Sequence, residues 1–152
     1  MCCACQLVAS SGLFSHANAT RRRTATDTAT TNAATTMGLA SVGTLILLRH
    51  GQSVWNGPDA RFTGWSDVPL TVKGRVEAVV AGQLLRSRGF RATTVDVAFT
   101  SDLQRAHETC ELTLASMAGH EQETWSTERI RRDGRLNERH YGAVQGLSRT
   151  TR

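Results

Sequence analysis

Four aliphatic residues, Leu45 to Leu48, run without interruption into Arg49, His50 and Gly51. A continuous apolar run this short reads as a strand covered on both faces, which calls for a parallel sheet flanked by helices. Its abrupt end narrows the fold further. Ligands of parallel α/β sheets bind beyond the carboxyl ends of the strands, so this chain delivers a guanidinium and an imidazole to the floor of a cleft. Arg49 is a planar cation suited to bidentate phosphate binding. A neutral imidazole such as His50 attacks phosphorus when its other ring nitrogen is held as a donor, and Gly51 lets the backbone approach closely. Alone, RHG is a weak motif, because an Arg-His pair is more often a surface or structural feature.

The pattern beyond Gly43 continues as α/β. Thr71 caps a helix whose apolar positions Val72, Val76, Val79, Val80 and Leu84 recur at helical spacing, and Gly89 ends it as the residue after the C-cap. Val95, Val97 and Phe99 alternate as a strand. Ser101 and Gln104 have the spacing of a capping box, and Leu103, Ala106, Cys110, Leu114 and Met117 mark the buried face of the helix that follows. Residues 119–135 are polar and aperiodic apart from Trp125, which predicts a loop with one short strand. The order β, α, β, α predicts an α/β fold of three layers, a mostly parallel sheet with flanking helices.

Residues 1–43 have another character. Ser, Thr and Ala dominate, Arg21 to Arg23 form a basic triplet, and Asp27 is the one acidic residue. Such a segment builds no core, which predicts a disordered leader before a domain over 44–152. The composition suits a mitochondrial or plastid transit peptide; a start at Met37 with a cytoplasmic product is the alternative. Cys2, Cys3 and Cys5 form no disulfide framework and lack a second pair at metal-ligand spacing; acylation of Cys2 or Cys3 is a further reading. No apolar run reaches the roughly 20 residues of a membrane-spanning helix, so no membrane partner is expected. The formal charge of +5 suits an anionic ligand, but the arginines are scattered and form no stripe, which favours a small phosphorylated metabolite over nucleic acid.

Two further segments give Arg49 and His50 chemical company. Arg105 lies in TSDLQRA, one turn into a helix whose N-terminus itself favours anions. Glu138, in LNERHYGAVQG, is a candidate proton donor and acceptor for the leaving oxygen of a phosphoryl transfer. The alternative reading of Glu138 beside Arg139 is a solvated ion pair. His107, on an otherwise apolar helix, reads as a half-buried structural residue.

At these residues the chain resembles the histidine phosphatase superfamily and, within it, the 2,3-bisphosphoglycerate-dependent phosphoglycerate mutases. LILLRHGQSVWN is similar to that family's phosphohistidine motif, RFTGW at Arg61 to Trp65 to its substrate loop, and TSDLQRA to the segment carrying its second phosphate arginine. LNERHYGAVQGL is the most specific piece, because simple phosphatases of the superfamily carry a shorter motif. The resemblance implies a phosphoglycerate mutase-like fold and a ping-pong transfer, without metal, that interconverts 3-phosphoglycerate and 2-phosphoglycerate in glycolysis with 2,3-bisphosphoglycerate as primer. His50 would be phosphorylated and Glu138 would shuttle protons, while Arg49, Arg105 and Asn56 would hold the phosphoryl group. Thr63, Gly64, Arg139, Tyr141 and Arg149 would bind the rest of the substrate, and a full-length form would allow a homo-oligomer. A broad-specificity histidine phosphatase and a non-catalytic phospho-ligand-binding fragment are the alternatives.

Three departures stand out. Gln52 replaces the family's common Glu, the loop before Arg61 is one residue longer, and Arg149 replaces a Lys of different reach. The family's domain also continues to a strand with a second catalytic His in an HGN motif, whereas this sequence ends at Arg152 and none of His16, His107, His120 or His140 lies in such a motif. The expectation is therefore a fold incomplete at the C-terminus, with little activity, exposed apolar surface and marginal stability.

Overall fold

In the computed structural model the described residues are 4–9, traced as backbone, together with 43–118 and 126–150. They form a four-stranded sheet in the order β2-β1-β3-β4. Its strands are β1 (Ala4–Ala9), β2 (Thr44–Arg49), β3 (Val95–Thr100) and β4 (Ile130–Arg132). The helices are α1 (Val72–Ser87) and α2 (Gln104–Ala118). β3 and β4 pair in parallel, and β1 pairs antiparallel with both β2 and β3, so β2, β3 and β4 share one direction. Three of the four strands thus run in the one direction expected of an α/β sheet, while the intervening β1 makes two of the three pairings antiparallel.

β1 was not expected. The leader composition predicts no structure over 1–43, yet Ala4–Ala9 forms a strand. The reason is in the backbone: β2 and β3 each turn an edge toward the same gap, and a strand placed there satisfies hydrogen bonds on both sides. Residues 10–42 and Trp125 lie outside the described residues, as do Cys2 and Cys3.

The helices form a layer on one face of the sheet. Ile46 and Leu48 of β2 pack with Val95 and Ala98 of β3 against Cys110, Leu114 and Met117 of α2. The buried face of α2 is the one the apolar spacing predicts. β2 is different: Leu45 and Leu47 point away from this core and are exposed, because among the described residues nothing covers the second face of the sheet.

α1 also departs from its hydrophobic pattern. Thr71 is its N-cap, accepting from Gly74 N, and Gly89 follows the C-cap in the left-handed region (φ 91°). The residues turned inward, however, are Gly74, Ala78 and Gly82, whereas Val72, Val76, Val80 and Leu84 are exposed. Size overrides hydrophobicity here. A Cβ on Gly82 would overlap the Thr113 carbonyl, and Thr113 Oγ1 donates to the Ala78 carbonyl at 3.1 Å, so α1 and α2 meet backbone to backbone. Ser116 Oγ donates to the Val79 carbonyl at 2.9 Å, and Arg75 pairs with Glu108 across the same seam.

The start of α2 is capped from a distance. Asp67 Oδ1 accepts Gln104 N at 2.7 Å, and Gln104 Nε2 donates to the Asp67 carbonyl at 2.6 Å. Ser101 Oγ accepts Leu103 N at 3.4 Å, while both the backbone and the side chain of Gln104 turn to Asp67, so the expected local capping box gives way to a cap from the loop before α1. This ties the loop before α1 to the first turn of α2.

Candidate functional site

The site begins at the carboxyl end of β2, where His50 is 8% exposed and the preceding Arg49 points to solvent. The turn that follows is held by three elements. Gly51 N donates to Thr109 Oγ1 of α2 at 3.2 Å. Thr71 N, at the cap of α1, donates to the Gln52 carbonyl at 2.9 Å, and Gln52 N donates to Glu77 Oε2 at 2.8 Å. The approach is close enough that a Cβ on Gly51 would overlap the Gly74 carbonyl, and one on Gly74 would overlap the Gln52 carbonyl.

This turn fixes the state of the imidazole. His50 Nδ1 lies 2.7 Å from the Gly51 carbonyl oxygen. A carbonyl only accepts, so Nδ1 carries the proton and Nε2 keeps its lone pair. Burial, the largest influence, pushes His50 protonation below its ordinary 6.5; the Gly51 bond opposes this, Arg105 and Arg49 add to it, and Glu138 partly offsets it. The ring is neutral at neutral pH and presents a nucleophilic nitrogen.

A cavity of about 320 Å³ opens beside it, lined by Arg49, His50, Gln52, Asn56, Ala60, Glu77 and Arg149. Arg49, His50, Asn56 and Arg149, four of the residues singled out from sequence, therefore share one concavity. Asn56 also braces the turn, its Oδ1 accepting Ser53 N at 2.7 Å. Arg149 arrives from the far end of the described chain because residues 60–62 and 146–149 pair as a short antiparallel ladder. Arg149 N donates to the Ala60 carbonyl at 2.8 Å, and Gly146 N to the Phe62 carbonyl at 2.9 Å. The Arg149 guanidinium then stacks 5.3 Å from the Phe62 ring centre.

Arg105 and Glu138 come together on a second side. Arg105 is fully buried, and its Nη atoms donate to the Ser66 carbonyl at 2.9 Å, the Gly64 carbonyl at 2.8 Å and Glu138 Oε2 at 3.2 Å. Its Nε is buried without a protein hydrogen-bond partner. Tyr141 Oη donates to Glu138 Oε1 at 3.3 Å, and Trp65 Nε1 to the Glu138 carbonyl at 2.7 Å. Both charges act on His50 electrostatically, in opposite senses.

The remaining candidates form the rim. Thr63 is buried and bonds its own loop through the Arg61 carbonyl, and Gly64 supplies the carbonyl that Arg105 grips. Arg139 stacks 4.8 Å from the Tyr141 ring centre, and Tyr141 packs on Phe62 at 5.3 Å. Sequence reasoning missed Glu77, Thr109, Asp67 and Gln145, the last accepting Trp65 N through its side chain at 3.0 Å. Each reads as an ordinary helix or loop polar residue, and no spacing rule singles it out. Among the described residues no group of His, Cys, Asp and Glu is arranged to hold a metal ion.

A buried neutral imidazole stands at a strand end beside two arginines of the same cavity, with the Arg105–Glu138 pair acting on it electrostatically, on an α/β fold. The model of the histidine phosphatase superfamily (branch 1) matches residues 45–152, and the chain belongs to that superfamily. It is 49% identical over 109 residues to the 2,3-bisphosphoglycerate-dependent phosphoglycerate mutase of Corynebacterium jeikeium, covering 72% of this chain and 39% of that protein. It is 50% identical over 106 residues to the enzyme of the same name from Hamiltonella defensa, covering 70% of this chain and 39% of that protein. The chain thus spans about two fifths of the length of the curated relatives it matches. Among solved structures it is similar to a mycobacterial glucosyl-3-phosphoglycerate phosphatase, with a TM-score of 0.48 and 33% identity over 66% of this chain and 42% of that one. A phosphoglycerate mutase from Thermus thermophilus gives a TM-score of 0.43 and 31% identity over 65% of this chain and 45% of that one.

Proposed function

We propose that this chain carries the phosphoryl-accepting half of a 2,3-bisphosphoglycerate-dependent phosphoglycerate mutase, interconverting 3-phosphoglycerate and 2-phosphoglycerate in glycolysis. The observation that carries the reading is His50, neutral, with Nδ1 bound to the Gly51 carbonyl beside Arg49, Asn56 and Arg149. The donor set fits a phosphate group: two guanidinium groups and the amides of Gln52 and Asn56 line the cavity beside the imidazole, with Glu77 bound to the backbone of Gln52.

The chemistry follows from those atoms. The Nε2 lone pair of His50 attacks phosphorus as the phosphorus–oxygen ester bond breaks, and the departing alkoxide takes a proton from Glu138. The phosphorylated His50 then transfers its phosphoryl group to the free hydroxyl of a bound 3-phosphoglycerate, with Glu138 taking that hydroxyl's proton, and attack of His50 on the other phosphate of the resulting bisphosphoglycerate releases 2-phosphoglycerate and restores the phosphohistidine. Arg49, Asn56 and Arg105 stabilise charge developing on the equatorial oxygens, so the catalysis is mainly positioning and electrostatics. Arg139, Tyr141, Thr63, Gly64 and Arg149 orient the glycerate end. 2,3-Bisphosphoglycerate supplies the first phosphoryl group. A plastid or mitochondrial location follows if the leader is cleaved as a transit peptide, and N-terminal sequencing of the native protein beginning after Arg23 would support it.

The test is incubation with phosphoryl-labelled 2,3-bisphosphoglycerate. Acid-labile label on the native chain and none on His50→Asn supports the reading, and isomerised phosphoglycerate identifies a mutase. Label lost only to water, across many phosphomonoesters, replaces the mutase with a phosphatase. Phosphoglycerate binding without any label at His50 leaves a binding fragment.

A further inference from the structure

The peptide unit joining Gly51 to Gln52 carries two hydrogen bonds at once. Its carbonyl oxygen accepts the His50 Nδ1 proton at 2.7 Å, and its N–H donates to Glu77 Oε2 at 2.8 Å. A trans peptide is planar and holds these two groups on opposite edges. Imidazole and carboxylate therefore sit on either side of one rigid, polarisable group.

We propose that Glu77 is a positioning residue for His50, acting through this peptide as a carboxylate, peptide and imidazole chain. The inference rests on the reading of His50 as phosphoryl acceptor and deepens it. An amide whose N–H is bound by an anion becomes a stronger acceptor at its carbonyl, because hydrogen bonds in series polarise one another. A stronger acceptor on Nδ1 holds the ring in one tautomer and raises electron density at Nε2. This is what a carboxylate does when it binds an imidazole directly; here one peptide is interposed, and no proton passes along the chain.

Three observations favour this role over a passive surface acid. Glu77 is the one carboxylate lining a cavity that otherwise offers Arg49 and Arg149, where a free negative charge would oppose the proposed ligand. Its bond orients that charge onto the turn. The same helix also binds the other side of Gln52, through Thr71 N to the carbonyl at 2.9 Å and Thr71 Oγ1 to Gln52 Oε1 at 3.0 Å. Finally, the neutral side chain of Gln52 sets no like charge beside the carboxylate that grips its backbone.

The test uses the full chain and two variants, Glu77→Ala and Glu77→Gln. The readouts are the His50 Nδ1 proton resonance by ¹H–¹⁵N NMR and the rate of His50 phosphorylation by 2,3-bisphosphoglycerate. Glu77→Ala moves the Nδ1 resonance upfield and slows phosphorylation about ten-fold. Glu77→Gln keeps an acceptor without the charge and falls between on both scales. An unmoved Nδ1 resonance in Glu77→Ala, with faster exchange of the Gln52 amide, overturns the proposal and leaves Glu77 a tie for the turn. If circular dichroism shows Glu77→Ala unfolded, the resonance in Glu77→Gln decides alone. If Nδ1 depends on Glu77 but the native chain takes no label, the inference stands and the phosphoryl reading falls. Equal labelling of native and both variants does the reverse.

Discussion

The floor and the rim of the site are built on different principles. At the floor, His50 hangs from the end of β2, and the turn after it is gripped by α1 and α2 through backbone atoms and closely approaching glycines. At the rim, residues 134–150 form short 3₁₀ turns and present Arg139, Tyr141 and Arg149 largely through stacking of cations on rings. The imidazole proposed to meet phosphorus is thus held by packed regular elements, and the groups proposed to meet the rest of a substrate sit on a loop. Rigidity is spent where a misplacement of an ångström costs most. Arg105 joins the two regions: rooted in α2, it binds two carbonyls of the 64–66 turn and the Glu138 carboxylate.

Breaking that link should have the largest effect. Arg105→Leu leaves Glu138 and two carbonyls without their donor, and stability should fall by about 4 kcal/mol in urea denaturation. A fall near 1 kcal/mol would mean that floor and rim are held independently. Next comes the interlock of the floor: Gly74→Ala drives a methyl into the Gln52 carbonyl and should cost about 2–3 kcal/mol, with loss of the His50 Nδ1 resonance. The outer face of the same helix supplies the contrast, since Val76→Ala, two residues along at an exposed position, should change stability by about 0.5 kcal/mol or less.

Acid sharpens the comparison further. The folded state holds His50 protonation below its ordinary 6.5, mainly through burial. As pH falls through 6.5 the unfolded chain binds a proton that the native floor resists, so stability declines from there down to the lower native value. Thermal melts of the native protein should show that decline, and it should be weaker in His50→Asn; identical profiles would place the ring in a solvated setting. The smallest effect on folding belongs to the rim. Arg149→Ala should alter stability by less than about 0.5 kcal/mol while weakening inorganic phosphate binding roughly ten-fold, as loss of one charge-assisted contact implies.

What could be read from sequence divides along the same line. The strand ends, Thr71 as cap, Gly89 as terminator and the buried face of α2 follow from local rules, and each is where those rules place it. His50, Arg49, Asn56 and Arg149 converge because a strand end and a short ladder carry them there. The valine stripe of α1 misled because the periodicity rule weighs apolarity, whereas the seam with α2 selects small residues that admit a carbonyl. The continuous run in β2 suggested cover on both faces, and the described residues cover one. Ser101 looked like a cap, but the cap came from Asp67, more than thirty positions away, where no local pattern reaches. Glu77 went unseen for the same reason, since its partner is the Gln52 backbone rather than any motif residue.

The most direct measurement is a long-range ¹H–¹⁵N spectrum of the His50 ring in the native protein at pH 7.5. The account predicts a neutral ring with a slowly exchanging proton on Nδ1 and a bare Nε2. A proton on Nε2, or an imidazolium, would contradict it, because the turn between α1 and α2 would then not be preparing that nitrogen for phosphorus.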